Sequence, residues 1–127
     1  SMPVLARAKV AHYPAAVVED VPSRLRSRYL PRALSGRPAG FPVSPEVTTM
    51  VSFARLNLMG DWPMRGQFDL IFCRNVMIYF NDDTRTVLGR RFAEQLAPDG
   101  LLMIGHAESL ASLEQPLQLI RPAIYAH

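Results

Sequence analysis

Two strongly polar residues, Arg74 and Asn75, end the most apolar segment of the chain, FDLIFCRN at residues 68–75. A guanidinium and a carboxamide bind ligands through hydrogen bonds, and neither is by itself a nucleophile or a general base. Asn57 lies near the end of an earlier segment, TTMVSFARLNL at residues 48–58, in a similar position. The simplest alternative is that these residues only begin loops. Their recurrence at two segment ends favours a ligand-binding site, without naming the ligand.

The composition excludes several other kinds of site. One cysteine, Cys73, rules out an intramolecular disulfide and a multi-cysteine zinc site. The histidines His12, His106 and His127 are far apart in sequence, so we predict no metal site. The 127 residues are 49% hydrophobic, enough for one compact domain. No apolar run approaches the roughly 18 residues that span a bilayer, which predicts a cytoplasmic protein without membrane insertion.

The positive charge is unevenly distributed. Thirteen of the basic residues are arginines, and the net charge is +3. Arg24, Arg28 and Arg32 are spaced to share one helical face, provided that the helix continues past Pro31. Such a face would suit nucleic acid or an acidic protein surface. Because few aromatic residues accompany these arginines, we predict no binding of single-stranded nucleic acid.

The first half of the chain predicts two helices, a loop and a strand. Residues 3–11 predict a helix, and Asp20 is a candidate N-cap for a second helix with Pro22 in its first turn. Residues 31–45 contain prolines and glycines that predict a loop or a small irregular hairpin. Residues 48–58 show a partial alternation of apolar residues, which predicts a strand ending near Asn57.

The second half predicts a βαβ unit. Residues 68–75 are apolar on both faces, which is typical of a central parallel strand. A helix over 84–97 follows potential caps at 81–83, and residues 101–105 predict a second buried strand. The last eleven residues predict two short strands. This order indicates an open α/β sheet, in which ligands bind outside the carboxyl ends of the strands. Arg74 and Asn75 would lie at that edge.

Residues 55–110 resemble the chemotaxis receptor methyltransferases, the CheR family. The most specific matches are CRNVMIYF at 73–80 and GHAESL at 105–110, and weaker ones extend to both ends of the chain. The resemblance implies a Rossmann-like fold that binds S-adenosylmethionine. Carried over by position, it implies that Asn57 and Leu58 hold the adenine, that Arg74 and Asn75 line the cofactor pocket, and that Tyr79 faces the reacting groups.

The activity implied by the resemblance is methylation of glutamate side chains on the cytoplasmic helices of chemotaxis receptors, with S-adenosylhomocysteine as product. A glutamate is already ionised at neutral pH, so the reaction needs no strong general base. Orientation and desolvation would supply the catalysis. Accordingly, His106 is interpreted as a structural hydrogen-bonding residue.

The sequence also departs from the family pattern. The glycine-rich loop that binds the cofactor, the first two strands and the N-terminal helical domain are not found in residues 1–127. We therefore expect the C-terminal part of the methyltransferase domain, with 31–45 a loop or the remnant of a small β-subdomain. By itself such a chain is expected to be inactive, to bind cofactor poorly and to form homo-oligomers through the uncovered edge of 68–75. Two alternatives stay open: a non-catalytic interaction or dimerisation module, and a different Rossmann-like enzyme or nucleic-acid binder.

Overall fold

The computed structural model describes residues 2–31 and 40–127, which form two compact units, Ser1–Gly60 and Asp61–His127. Mixed α/β structure is present, as the sequence predicts. No helix among the described residues is both long enough and apolar enough to cross a bilayer.

Short elements make up the first unit. The helix predicted over residues 3–11 is confirmed as α1, Met2–Val10. It is followed by β1 (His12–Tyr13), α2 (Ala15–Val18), α3 (Ser23–Tyr29), β2 (Phe41–Pro42) and α4 (Pro45–Thr48). The helices α2 and α4 were not predicted, because four residues are too few to show a helical period in the sequence.

A tight antiparallel pair joins β1 to β2 in this unit, with His12 opposite Pro42 and Tyr13 opposite Phe41. Gly40 precedes β2 with φ +149°, and a Cβ there would lie 2.7 Å from both His12 Cε1 and the Tyr13 carbonyl oxygen. Only glycine combines this backbone angle with so close an approach. This pair joins residues distant in sequence, so it is not the hairpin proposed within 31–45; residues 32–39 lie outside the described residues, and a hairpin there stays a prediction.

The second predicted helix is confirmed as α3, but the cap predicted for it is wrong. Helix α3 begins at Ser23 with Pro22 at the N-cap position, so Asp20 is not its cap. The same helix ends at Tyr29, so the condition for a shared arginine face, a helix that continues past Pro31, is not met; Arg32 itself lies outside the described residues. Proline disfavours helical geometry in the residue before it, which explains the early end.

The predicted strand over 48–58 is also absent. Thr48 ends α4, and residues 51–57 have neither helical nor strand structure. A strand requires a hydrogen-bonding neighbour, and within the described part of the chain this segment has no strand paired to it. Apolar alternation alone therefore misidentified an irregular segment.

A four-stranded mixed sheet in the order β3-β4-β6-β5 forms the second unit. The predicted βαβ unit is confirmed: β3 (Phe68–Cys73) runs parallel to β4 (Leu96–Ile104), and α5 (Asp82–Gln95) connects them. The predicted C-terminal strands are β5 (Gln118–Arg121) and β6 (Ile124–Ala126), which pair antiparallel. Strand β6 also pairs with β4.

Helix α5 begins where the sequence predicts a cap. The Asn81 side chain accepts a hydrogen bond from the Thr84 N–H at 3.0 Å, which satisfies one of the free donors of the first turn. Leu88 and Phe92 face the sheet and are buried. The fully buried side chains that complete this core come from β4, β6 and the connecting segments: Met77, Leu96, Leu102, Ile104, Leu110 and Tyr125.

Strand β3 lies at an edge of this sheet, although its apolar pattern is typical of a central strand, and this position agrees with the uncovered edge that we expect for residues 68–75. Among the described residues only β4 hydrogen-bonds to it. Its apolar residues remain partly exposed, with Phe68 at 39%, Leu70 at 43% and Phe72 at 64%. The sequence has the composition of a strand covered on both faces, but no described element supplies that cover.

Candidate functional site

The connection between β3 and α5 contains three of the predicted site residues. Arg74 and Asn75 follow the last residue of β3 directly, and a 3-10 helix, Met77–Tyr79, comes next. Met77 is buried at 1% exposure and anchors the turn, whereas Tyr79 is 80% exposed. The three side chains therefore belong to one short segment at the carboxyl end of a parallel strand, where α/β sheets bind their ligands.

Asn75 has a left-handed backbone conformation, with φ +59°. Non-glycine residues adopt this conformation uncommonly, and asparagine is among those that tolerate it best. This angle turns the chain sharply out of β3. The segment must therefore be held in place by contacts from outside itself.

Those contacts come from the carboxylate of Glu108, which is buried at 7% exposure. Its Oε2 accepts hydrogen bonds from the Gly105 N–H at 2.5 Å and the Asn75 N–H at 3.1 Å. Its Oε1 accepts from the Val76 N–H at 2.9 Å and the Ile78 N–H at 3.2 Å. One side chain thus satisfies backbone donors at the carboxyl ends of both β3 and β4.

Gly105 makes room for this arrangement. A Cβ at this position would lie 2.5 Å from Glu108 Oε2 and 2.9 Å from Asn75 Oδ1, both closer than real Cβ contacts. The glycine at the end of β4 is therefore required by close approach, and the Gly-His-x-Glu pattern has a physical basis.

The electrostatics of this cluster follow from the same contacts. Burial by itself would raise the pKa of Glu108, but the N–H groups of Gly105, Asn75 and Ile78 stabilise the anion and lower the pKa below the ordinary value. Burial raises the pKa of the neighbouring Cys73 thiol to about 11, and the negative charge of Glu108 acts in the same direction. The cluster therefore holds one buried anion and one neutral thiol.

Arg74 and His106 meet beside this cluster. Arg74 Nη2 lies 3.5 Å from His106 Nδ1, at the outer limit of a hydrogen bond. Both residues are exposed. The contact is in keeping with the interpretation of His106 as a hydrogen-bonding residue, and it places a cation at the ends of both parallel strands.

The other two predicted site residues, Asn57 and Leu58, belong to the first unit. Asn57 forms a local turn in which its Oδ1 accepts from the Met59 N–H at 3.1 Å and its carbonyl accepts from the Gly60 N–H at 3.1 Å. Leu58 is partly buried. The structure describes the contacts of Asn57 and Leu58 only within the first unit, so their role in binding adenine stays a prediction.

Sequence reasoning missed Glu108. The sequence does contain a signal for it. Glu108 lies shortly after the apolar strand that ends near Gly105, just as Arg74 and Asn75 follow the apolar strand over 68–73. The same rule of polar residues at the carboxyl ends of strands would have selected it.

Two other features of the described residues do not add to the site. A surface depression of about 600 Å³ is lined by Arg90, Glu114 and His127, among others, and by none of the predicted site residues. No group of three or more His, Cys, Asp or Glu residues suited to a metal ion occurs in the described ranges.

A βαβ unit with polar residues at the carboxyl ends of its parallel strands is the arrangement at which open α/β sheets bind their ligands. The chain belongs to the CheR methyltransferase family, because residues 1–125 match the family described as "CheR methyltransferase, SAM binding domain".

Curated relatives agree with this assignment. A chemotaxis protein methyltransferase of Borreliella burgdorferi is 39% identical over 126 residues, which is 98% of this chain and 43% of that protein. The chemotaxis protein methyltransferase of Escherichia coli is 37% identical over 124 residues, covering 97% of this chain and 43% of the relative. The chain therefore spans less than half the length of these curated relatives.

S-adenosylmethionine is the cofactor that this family domain indicates. The residues at the site are chemically suited to it. The Arg74 guanidinium can pair with a carboxylate, and the Asn75 side chain can both donate and accept hydrogen bonds. Both side chains are exposed at the carboxyl end of β3 and are available to a ligand.

Proposed function

We propose that the chain forms part of an S-adenosylmethionine-dependent methyltransferase that esterifies glutamate side chains on the cytoplasmic helices of chemotaxis receptors. The observation that supports this most is the segment of Arg74, Asn75 and Tyr79 at the carboxyl end of β3, which the Glu108 carboxylate holds in place. The matched family and the names of the relatives support the same class of reaction.

In this proposal each residue has a defined task. Arg74 and Asn75 hold the cofactor at the end of β3, with Asn57 and Leu58 contributing to adenine binding. When bound, S-adenosylmethionine supplies an electrophilic methyl group and leaves as S-adenosylhomocysteine. Tyr79, which is 80% exposed, is available to orient the incoming carboxylate and to exclude water. No proton has to be removed, because the glutamate is ionised at neutral pH.

Transfer of a labelled methyl group tests this directly. The protein as its gene encodes it is incubated with tritium-labelled S-adenosylmethionine and the cytoplasmic fragment of a chemotaxis receptor. We expect label on the receptor that alkali releases as methanol, since methyl esters hydrolyse in base. Label that resists alkali, or label unaffected when the receptor glutamates are replaced by alanine, would contradict glutamate esterification.

A second candidate function rests on the exposed edge of β3. An edge strand with unpaired backbone groups and partly exposed Phe68, Leu70 and Phe72 is a template for pairing with another strand. We propose that the 127-residue chain by itself pairs through β3 with a second copy, as a two-fold dimer. In this state it would act as an interaction module and lack methyltransferase activity.

Light scattering at micromolar concentration checks this second proposal. We expect a dimer mass for the 127-residue chain, and a shift to monomer when Leu70 on the exposed edge is replaced by lysine. Replacing the exposed Leu119 of β5 by lysine is the matched control. A monomer at all concentrations, together with tight cofactor binding, would refute the interaction module.

A further inference from the structure

The carboxylate of Glu108 divides its hydrogen bonds between two groups of donors. Oε2 accepts from Gly105 and Asn75 at 2.5 and 3.1 Å, and Oε1 accepts from Val76 and Ile78 at 2.9 and 3.2 Å. Three of the four donors belong to the segment between β3 and α5. Most of the side chain's hydrogen bonds therefore fix the backbone of residues 74–79 rather than that of its own segment after β4.

This contact acts on a segment that needs support. Asn75 has φ +59°, and Ile78 and Tyr79 are 51% and 80% exposed, so packing restrains them weakly. Buried backbone donors that lose a partner are costly, and hydrogen bonds to a charged acceptor are among the stronger ones. The buried carboxylate is thus the main described contact that determines the direction in which the segment leaves β3.

We propose that Glu108 is a positioning residue for the cofactor: it holds residues 74–79 so that Arg74 and Asn75 face the ligand. This inference rests on the proposed function, since it assigns cofactor binding to that segment. Glu108 itself makes its hydrogen bonds to backbone N–H groups and acts through the residues they belong to.

The division of hydrogen bonds predicts how variants rank. In Glu108→Gln one oxygen remains, so one pair of donors keeps its acceptor while the other pair faces an NH₂ group. In Glu108→Ala both pairs of N–H donors lose their acceptor. Glu114→Gln is the matched control, because the Glu114 side chain is 95% exposed and pairs with Arg90 at 3.9 Å. It makes none of the hydrogen bonds that hold residues 74–79.

Calorimetry with S-adenosylhomocysteine, on the protein as its gene encodes it, separates positioning from folding. We expect the Kd to rise about tenfold in Glu108→Gln and about a hundredfold in Glu108→Ala, with the binding stoichiometry unchanged. A purely structural role would reduce the folded fraction, which lowers the stoichiometry and leaves the Kd alone. That pattern would overturn the proposal, as would an equal rise in Kd for Glu114→Gln.

A second measurement needs no variant and so does not depend on variant folding. In the ¹⁵N-labelled wild-type protein as its gene encodes it, adding S-adenosylhomocysteine should shift the amide resonances of residues 75–78 and Gly105 together, and leave those of β5 in place. Binding without these shifts would overturn the inference alone. Absence of binding by the wild-type protein would instead overturn the proposed function on which the inference rests.

Discussion

Replacing Gly105 by alanine tests how tightly the ends of β3 and β4 are packed around Glu108. The added Cβ would lie 2.5 Å from Glu108 Oε2, 2.9 Å from Asn75 Oδ1 and 3.2 Å from the Asn75 nitrogen. Carbon and oxygen atoms in ordinary contact are about 3.4 Å or more apart, so the carboxylate must move by about 1 Å. Such a displacement breaks the hydrogen bonds that Oε2 accepts.

The magnitude follows from these contacts. Overpacking a close-packed site costs about 1–3 kcal/mol, and a hydrogen bond to a charged group contributes about 1.5–3 kcal/mol. Because the two effects overlap, we expect the free energy of unfolding to fall by about 2–4 kcal/mol. With an m-value of about 2 kcal/mol per molar urea, the midpoint of unfolding would fall by about 1–2 M.

Urea unfolding followed by the fluorescence of Trp62 in the second unit provides the assay. The control is Gly60→Ala, where the added Cβ would lie 3.4–3.6 Å from Asn57 atoms, an ordinary contact. We expect the control to change the free energy of unfolding by less than about 0.5 kcal/mol. If Gly105→Ala were as stable as the control, the close approach of Glu108 and the account of this cluster would be refuted.

Three further predictions concern the same unit. Because the pKa of Glu108 is lowered in the folded state, its stabilising contribution is present above the unfolded pKa and is lost as pH falls through the folded pKa. The loss of stability in Glu108→Gln should therefore become smaller when unfolding is measured in acid. A loss of stability that does not change with pH would contradict this. Burial raises the pKa of Cys73 to about 11, so iodoacetamide should label the native thiol slowly at pH 9 and the urea-unfolded chain quickly. Equal labelling rates would argue against burial of the thiol. Tyr125→Phe removes the hydroxyl oxygen that accepts a hydrogen bond from the Leu110 N–H at 2.9 Å, so calorimetry should show a free energy of unfolding lower by about 1–3 kcal/mol. An unchanged free energy of unfolding would mean that the N–H finds another acceptor.

The second unit could be predicted well because its signals are local. Asn81 caps α5 through a contact three residues away, and Leu88 and Phe92 lie one turn apart on its buried face. The apolar runs of β3 and β4 identify strands whatever their neighbours are. These features depend on short stretches of sequence, and the structure confirms them.

Features that depend on distant partners were harder to predict. The missing strand over 48–58 is decided by which other strands are present, which an apolar pattern does not specify. The position of Glu108 after β4 could mark it as a site residue, but the four N–H groups that it binds belong to residues up to 33 positions away, so these hydrogen bonds could not be predicted from the sequence. Of the candidate site, the sequence identified the residues at the end of β3 but not the side chain that holds them.

Calorimetric binding of S-adenosylmethionine to Arg74→Ala tests the central claim most directly. The protein as its gene encodes it should lose about 5–150-fold in affinity, the equivalent of about 1–3 kcal/mol for a lost hydrogen bond to a charged ligand. Arg121→Ala in β5, which removes an exposed arginine from the same sheet, should leave the affinity unchanged. Equal affinity of the wild-type protein and Arg74→Ala would contradict a cofactor site at the carboxyl end of β3.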